Sequence, residues 1–298
     1  MIAGHINTLT GVALLGAKAK AFSEMLKFRL SLLVAFSCAF GFVLASPDLN
    51  WMKLITLFIG GFLLSGASIV VNQIKEKEYD KVMTRTMNRP LPTERVSVQE
   101  AMVFGAICFL AAVIILYYFT NPLTTVVSII SMVLYSFVYT PLKRVGPIAV
   151  FVGAIPGALP PLLGWTAATG VISYEALIIF GIQFIWQFPH FWAIAWVADE
   201  DYKKAGFKLL PSGGTKDLNT AIQIMIYTMF LIPFGLLPAM FGITGMTSAI
   251  VATVCGVLFF SQTFSLMKSG DRKSALKIMF GSFLYLPIVQ IAYLLDKV

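Results

Sequence analysis

Residues 51–92 read WMKLITLFIGGFLLSGASIVVNQIKEKEYDKVMTRTMNRPLP. The run 51–71 is apolar apart from Lys53, and a bilayer core about 30 Å thick takes roughly 17–25 such residues as a helix. The stretch that follows carries Lys75, Glu76, Lys77, Glu78, Asp80 and Lys81 in quick succession. A membrane span that ends in a dense, mixed-charge segment decides the class of fold. It also raises the question of what those carboxylates are for.

The rest of the chain agrees with a membrane protein. Of 298 residues, 58% are hydrophobic and 12% charged, against roughly 45–50% and about 25% in soluble domains. Mean hydropathy is +0.84. Spans are predicted at 26–46, 51–71, 99–119, 123–141, 147–165, 174–197, 218–241, 247–267 and 274–295. The fold class is therefore all-α: a polytopic bundle of nine transmembrane helices. Residues 1–25 lack the basic start and cleavage site of a signal peptide. They are predicted to be a cytoplasmic lead-in lying along the membrane surface, followed by a single domain over 26–298.

The connections alternate in character. SPDLN (46–50), TNPL (120–123), TAATGVIS (166–173) and GITGM (242–246) are short and almost uncharged. The others are longer and basic, so that 20 of the 22 Lys and Arg residues fall on one side and only Lys53 and Lys297 on the other. The positive-inside rule puts the N-terminus and the basic loops in the cytoplasm and the C-terminus outside. The net charge of +8 is then mostly topology and gives no reason to invoke nucleic acid. Cys38, Cys108 and Cys255 stand alone in apolar runs, which argues against a disulfide framework or a zinc site.

Positive-inside sorting explains the lysines of the basic loops but not their carboxylates. Asn72, Glu76 and Asp80 are spaced i, i+4, i+8, which puts three oxygen-bearing side chains on one helical face over about 12 Å. Such a stripe suits Mg²⁺, a hard cation that takes oxygen ligands and shares its sphere with phosphates. Beside it Lys77, Lys81, Arg85 and Arg89 repeat every four residues, a basic face fit for diphosphate. On spacing alone a solvated helix end explains the pattern equally well. Two further edges of the same side carry related groups: SFVYTPLKR (136–144), with Tyr139, Lys143 and Arg144, and IWQFPHFWAIAWVADEDYKKAG (185–206), with Asp199, Glu200 and Asp201. His190 lies within the sixth span, and an ionisable residue there is a functional candidate by default.

Four motifs together resemble those of the UbiA superfamily of intramembrane prenyltransferases, in its haem-using branch: NQIKEKEYDKVMTRTMNRPLP (72–92), YTPLKR (139–144), the GAIPGALPPLLGW hairpin (153–165) and WQFPHFWAIAWVADEDYKKAGFKLLP (186–211). The superfamily pattern NxxxDxxxD falls on Asn72, Glu76 and Asp80, with Glu in the middle place. The resemblance implies transfer of a farnesyl group from farnesyl diphosphate to a vinyl group of haem B, giving haem O and diphosphate. It implies Mg²⁺ on Asn72, Glu76, Asp80, Asp199 and Asp201, with Asp201 better matched than Asp199. Lys81, Arg85, Tyr139, Lys143 and Arg144 are then expected on the diphosphate, and Arg89, His190 and Trp186 on the haem. It further implies a bacterial inner membrane, an active site facing the cytoplasm, and hand-over of product to a haem A synthase or terminal oxidase assembly. The alternatives are an aromatic or quinone-precursor acceptor on the same fold, or a transporter. A carrier places its site near the midplane, whereas these acids cluster at one membrane face.

Overall fold

The computed structural model describes residues 11–298. Eleven helices account for nearly all of it: α1 Gly11–Met25, α2 Phe28–Ala45, α3 Trp51–Val82, α4 Val98–Phe119, α5 Pro122–Leu142, α6 Ile148–Thr169, α7 Tyr174–Val197, α8 Asp199–Lys204, α9 Leu218–Met240, α10 Met246–Ser269 and α11 Arg272–Leu295. Among the described residues nine are long and apolar enough to cross a membrane, all but α1 and α8. The protein is an integral membrane protein.

The packing has two lobes. Helices α2 to α6 form one, α7 with α9, α10 and α11 the other, joined by α6 against α7 and by α11 against α2. Burial follows from this arrangement: 72% of the span window of α6 lies inside the bundle, against 22% for α4. The exposed apolar side chains of α4, among them Val103, Ile107, Leu110 and Ile114, form the surface that faces lipid.

The stretch 153–165 is not the hairpin expected from its sequence. It belongs to one continuous helix with Pro156, Pro160 and Pro161 inside it. Proline removes a backbone donor and frees the carbonyl four residues earlier. The Gly157 carbonyl freed by Pro161 is satisfied from the neighbouring α7, by Gln183 Nε2 and Gln187 Nε2, both at 2.9 Å. Against α2 the contact is backbone to backbone. A Cβ at Gly41 would lie 1.9 Å from the Pro161 carbonyl oxygen, and one at Gly164 would lie 1.9 Å from that of Cys38. Only glycine fits these crossings, as in other close membrane-helix contacts.

At the basic end, α3 outruns its predicted span and continues as helix to Val82. Charge ends a hydropathy window, but it does not end an i→i−4 ladder. The expected basic stripe along this helix stops there too, because Arg85 and Arg89 lie in the turns that follow. Residues 1–10 of the predicted lead-in lie outside the described residues. The remainder, α1, buries Ala21 and Met25 against Val70, Leu91, Val96 and Ala101. Ion pairs Lys18–Glu100 (2.7 Å) and Arg95–Glu24 (2.7 Å) fasten it. It docks onto the bundle by its own apolar face.

Candidate active site

The buried face of α3 separates the two explanations of its charges. Asn72, Glu76 and Asp80 are only 4%, 5% and 0% exposed, so they are not a solvated helix end. Each carboxylate is countered by a cation brought from elsewhere. Lys143 Nζ lies 2.8 Å from Glu76 Oε1, and Arg89 Nη1 reaches both oxygens of Asp80, at 2.8 and 2.6 Å. Asn72 donates through Nδ2 to Thr140 Oγ1 at 3.0 Å. Burial works against the Lys143 ammonium, but the Glu76 carboxylate outweighs it and raises its pKa above the ordinary lysine value.

Local backbone irregularities deliver these cations. The end of α5 widens into a turn of π-helix over Leu134–Tyr139, just before Pro141; such turns recur at functional sites. Thr140 N and Thr140 Oγ1 both donate to the Tyr135 carbonyl, which fixes the turn from which Lys143 reaches Glu76. Tyr139 packs closely against α6, where a Cβ at Gly153 would come within 2.6 Å of its ring. Lys143 Nζ sits 4.7 Å from the Tyr139 ring centroid, a cation–π contact. Past the end of α3, the turn Met83–Arg89 folds Arg89 back onto Asp80, and the Thr86 hydroxyl donates to the Asp80 carbonyl at 3.1 Å.

The second acidic cluster is built differently. Asp201 accepts from the backbone N–H groups of Thr84 (3.1 Å) and Arg85 (3.0 Å), and from Lys204 Nζ (3.1 Å). Burial alone would raise its pKa, but the Arg85 amide, Lys204 and Thr84 hold it down at about 2. It therefore latches the loop after α3 to the helix α8. Asp199 pairs with Lys203 (2.9 Å) and Lys216 (3.3 Å).

Among the described residues no three His, Cys, Asp or Glu side chains are gathered as a metal-binding group. The expected five-residue set is thus not assembled as one cluster, because each carboxylate is drawn to a cation or an amide. Two expected diphosphate ligands have other partners in this structure. Lys81 lies about 100° around α3 from Asp80 and pairs with Glu78 at 2.9 Å on the solvent side. Arg144 donates to the Tyr79 hydroxyl at 2.7 Å. Arg85 remains near the mouth, 3.3 Å from the Tyr202 hydroxyl.

His190 and Trp186 stack on each other, with ring centroids 4.4 Å apart, and both bond Ser282 of α11. Trp186 Nε1 donates to its carbonyl at 3.0 Å, and His190 Nδ1 meets its hydroxyl at 2.8 Å. That hydroxyl also lies 2.6 Å from the Met279 carbonyl; with its proton given there, His190 donates at Nδ1 and its Nε2 keeps a lone pair.

One residue here was read from sequence only as a topology charge. Lys27 occupies the left-handed turn between α1 and α2, at φ 45°, strained for a residue with a Cβ. Met25, the last residue of α1 before that turn, is fixed by Gln73 Nε2 on its carbonyl at 2.8 Å. Burial, then the positive fields of Arg89, Arg85 and Lys143, lower the Lys27 pKa to about 7. No motif or spacing signals it; only the turn brings it into the cationic group.

The arrangement agrees with the comparisons to known proteins. The sequence pattern described as the UbiA prenyltransferase family matches residues 34–286. The chain belongs to the UbiA prenyltransferase family. Curated relatives include proteins named protoheme IX farnesyltransferase. The one from Cytophaga hutchinsonii is 51% identical, over 94% of this chain and 98% of the relative. The one from Christiangramia forsetii is 43% identical over 93% of both. Among solved structures, a digeranylgeranylglyceryl phosphate synthase superposes with a TM-score of 0.78 at 20% identity, over 94% of this chain and 98% of that one. A UbiA homolog from Archaeoglobus fulgidus bound to GPP and Mg²⁺ gives 0.63 at 14% identity, over 92% and 99%. At those identities the structural likeness shows the fold. Membership makes the chain a prenyltransferase and removes the transporter alternative.

Proposed function

We propose that this prenyltransferase moves a farnesyl group from farnesyl diphosphate to a vinyl group of protohaem IX, giving haem O and diphosphate. The observation that carries the site is the pair of buried carboxylates, Glu76 and Asp80, each held by an exchangeable cation. The relatives' name, protoheme IX farnesyltransferase, supports the choice of substrates. The sidedness of the basic residues supports an active site facing the cytoplasm of a bacterial inner membrane. Residues 26–298 act as the single catalytic domain, and the product passes to a haem A synthase or terminal oxidase assembly.

The donor set of Asn72, Glu76 and Asp80, one amide and two carboxylates on one buried face, fits Mg²⁺. Asp199, whose partners among the described residues are side-chain ammonium groups, joins it. Mg²⁺ bound there supplies neutralising charge to a departing diphosphate. In the resting structure Lys143 and Arg89 occupy these carboxylates. On substrate binding they transfer to the diphosphate oxygens, so no carboxylate or cation is left unpaired in either state. Lys27, with its proton loosely held, and Arg85 join them. Asp201 keeps the two loops together over the site.

The allylic C–O bond breaks with its electron pair leaving on the diphosphate. The terminal vinyl carbon bonds to the farnesyl C1, and the cation formed beside the porphyrin takes a water and loses a proton to become a hydroxyl. His190 offers Nε2 to the haem iron, and its stack with Trp186 fixes the ring plane. Arg89, once released from Asp80, serves the diphosphate rather than the haem.

Product analysis tests the proposal. Lipid-reconstituted protein incubated with haem B, farnesyl diphosphate and Mg²⁺ is expected to form hydroxyfarnesyl-haem by mass spectrometry. Unchanged haem from folded protein, with an aromatic acid prenylated instead, would sink it.

A further inference from the structure

A recess of about 250 Å³ opens at the charged end, lined by Lys75, Glu76, Tyr79, Thr140, Pro141, Arg144 and Phe207. Its two cations have no carboxylate partner among the described residues. Lys75 Nζ instead lies 4.1 Å from the Phe137 ring centroid. The Arg144 guanidinium lies 5.3 Å from that of Tyr79, whose hydroxyl it also bonds. The one acid in the lining, Glu76, already has Oε1 committed to Lys143 at 2.8 Å. The recess is therefore net positive, with side chains held in place by aromatic rings rather than neutralised by acids. Tyr79 and Phe207, with centroids 5.6 Å apart and planes 41° to each other, add an aromatic wall.

We propose that this recess binds the propionate edge of the acceptor haem, with Lys75 and Arg144 each holding one carboxylate. The inference rests on the haem reading above and extends it to a separate acceptor subsite. The chemistry called for is two carboxylates on a planar aromatic ring. A guanidinium offers a fork to one carboxylate and an ammonium a point charge to the other, and the ring edge meets Tyr79 and Phe207. The recess is smaller than the roughly 300–1,000 Å³ of sites that enclose a drug-sized ligand. It takes an edge of the macrocycle and leaves the vinyl-bearing part outside. Glu76 forms a wall common to this recess and to the Lys143 pair, so the two anionic substrates are countered by different cations on either side of one carboxylate. Lys143 and Arg89 serve the diphosphate; Lys75 and Arg144 serve the acceptor.

The test compares haem B with its dimethyl ester, in which both propionates are neutral. Both are titrated by Soret absorbance into wild type, Lys75→Gln, Arg144→Gln and the double variant in zwitterionic nanodiscs, with KM measured for each substrate. Both side chains are exposed, and circular dichroism checks that each variant keeps its fold. Wild type is expected to bind the free acid at least tenfold tighter than the ester. The double variant loses that preference while KM for farnesyl diphosphate is unchanged, and Lys75→Arg keeps most of it. Equal binding of acid and ester by wild type overturns the subsite and leaves the haem reading standing. A rise in KM for farnesyl diphosphate instead assigns the recess to the donor and also overturns it. Loss of the preference on adding anionic lipid alone would make it a lipid headgroup site. If wild type neither binds nor converts haem in any form, the proposed function fails and takes this inference with it.

Discussion

The two acidic clusters at the charged end of the bundle look alike in sequence and behave differently in structure. Glu76 and Asp80 are buried in α3, and each is matched by a side-chain cation carried on a separate element. Asp201 is tied mainly to backbone amides, those of Thr84 and Arg85. Side-chain cations can move to a substrate anion, whereas amides of a folded turn cannot. The first cluster is thus set for exchange of partners and the second for holding two loops together. Asp199, paired among the described residues only to lysines, behaves like the first cluster although it lies two residues from Asp201.

The sharpest way to break this comparison is Asp80→Asn. It leaves the half-buried Arg89 without its counter-charge, a loss below the about 3–5 kcal/mol of a fully buried pair, and turnover should fall at least about a hundredfold. The double variant Asp80→Asn/Arg89→Gln should recover most of the melting temperature and none of the turnover. Recovery of both would make the pair purely structural. Next comes Glu76→Gln, which removes a carboxylate but keeps a polar side chain of the same shape. Turnover should drop on the order of tenfold to a hundredfold, and the Mg²⁺ concentration for half-maximal rate should rise. An unchanged Mg²⁺ dependence would remove Glu76 from the ligand set.

Asp201→Asn should have a smaller effect, with kcat nearly kept and KM for farnesyl diphosphate raised several-fold as the loops part. Its carboxyl is held at about 2, below the ordinary aspartate value of 3.8. Its contribution to stability is therefore full above about pH 4 and is lost as pH falls toward 2. Protease cleavage near Thr84 should increase over that window in wild type, and already at neutral pH in the variant. The smallest expected effect is at Lys27. Its folded-state pKa of about 7 lies below the ordinary lysine value of 10.5. The cost of its charge is thus complete below pH 7 and relieved as pH rises toward 10.5. Melting temperature should climb with pH across that range in wild type and flatten in Lys27→Gln. Binding of inorganic diphosphate near pH 8 should take up a proton in wild type but not in the variant, as calorimetry in buffers of different ionisation enthalpy would show.

Much of this protein was legible in its sequence. Span positions follow from local hydropathy, since every backbone polar group in lipid must be satisfied within its own helix. Asn72, Glu76 and Asp80 share a face because the helical period fixes it. The helix through Pro156, Pro160 and Pro161 was not legible, because the donors that satisfy Gly157 come from α7. Nor was the fate of the cations. Arg89 follows Asp80 by nine residues and turns back onto it, Lys81 sits one residue away and points elsewhere, and Lys143 reaches Glu76 from 67 residues downstream. Local periodicity determined which acids stand together on one face. Only tertiary structure decided which bases meet them, because a charge finds its partner through space, where a non-helical turn, a π-helical step or a left-handed lysine counts for more than distance along the chain.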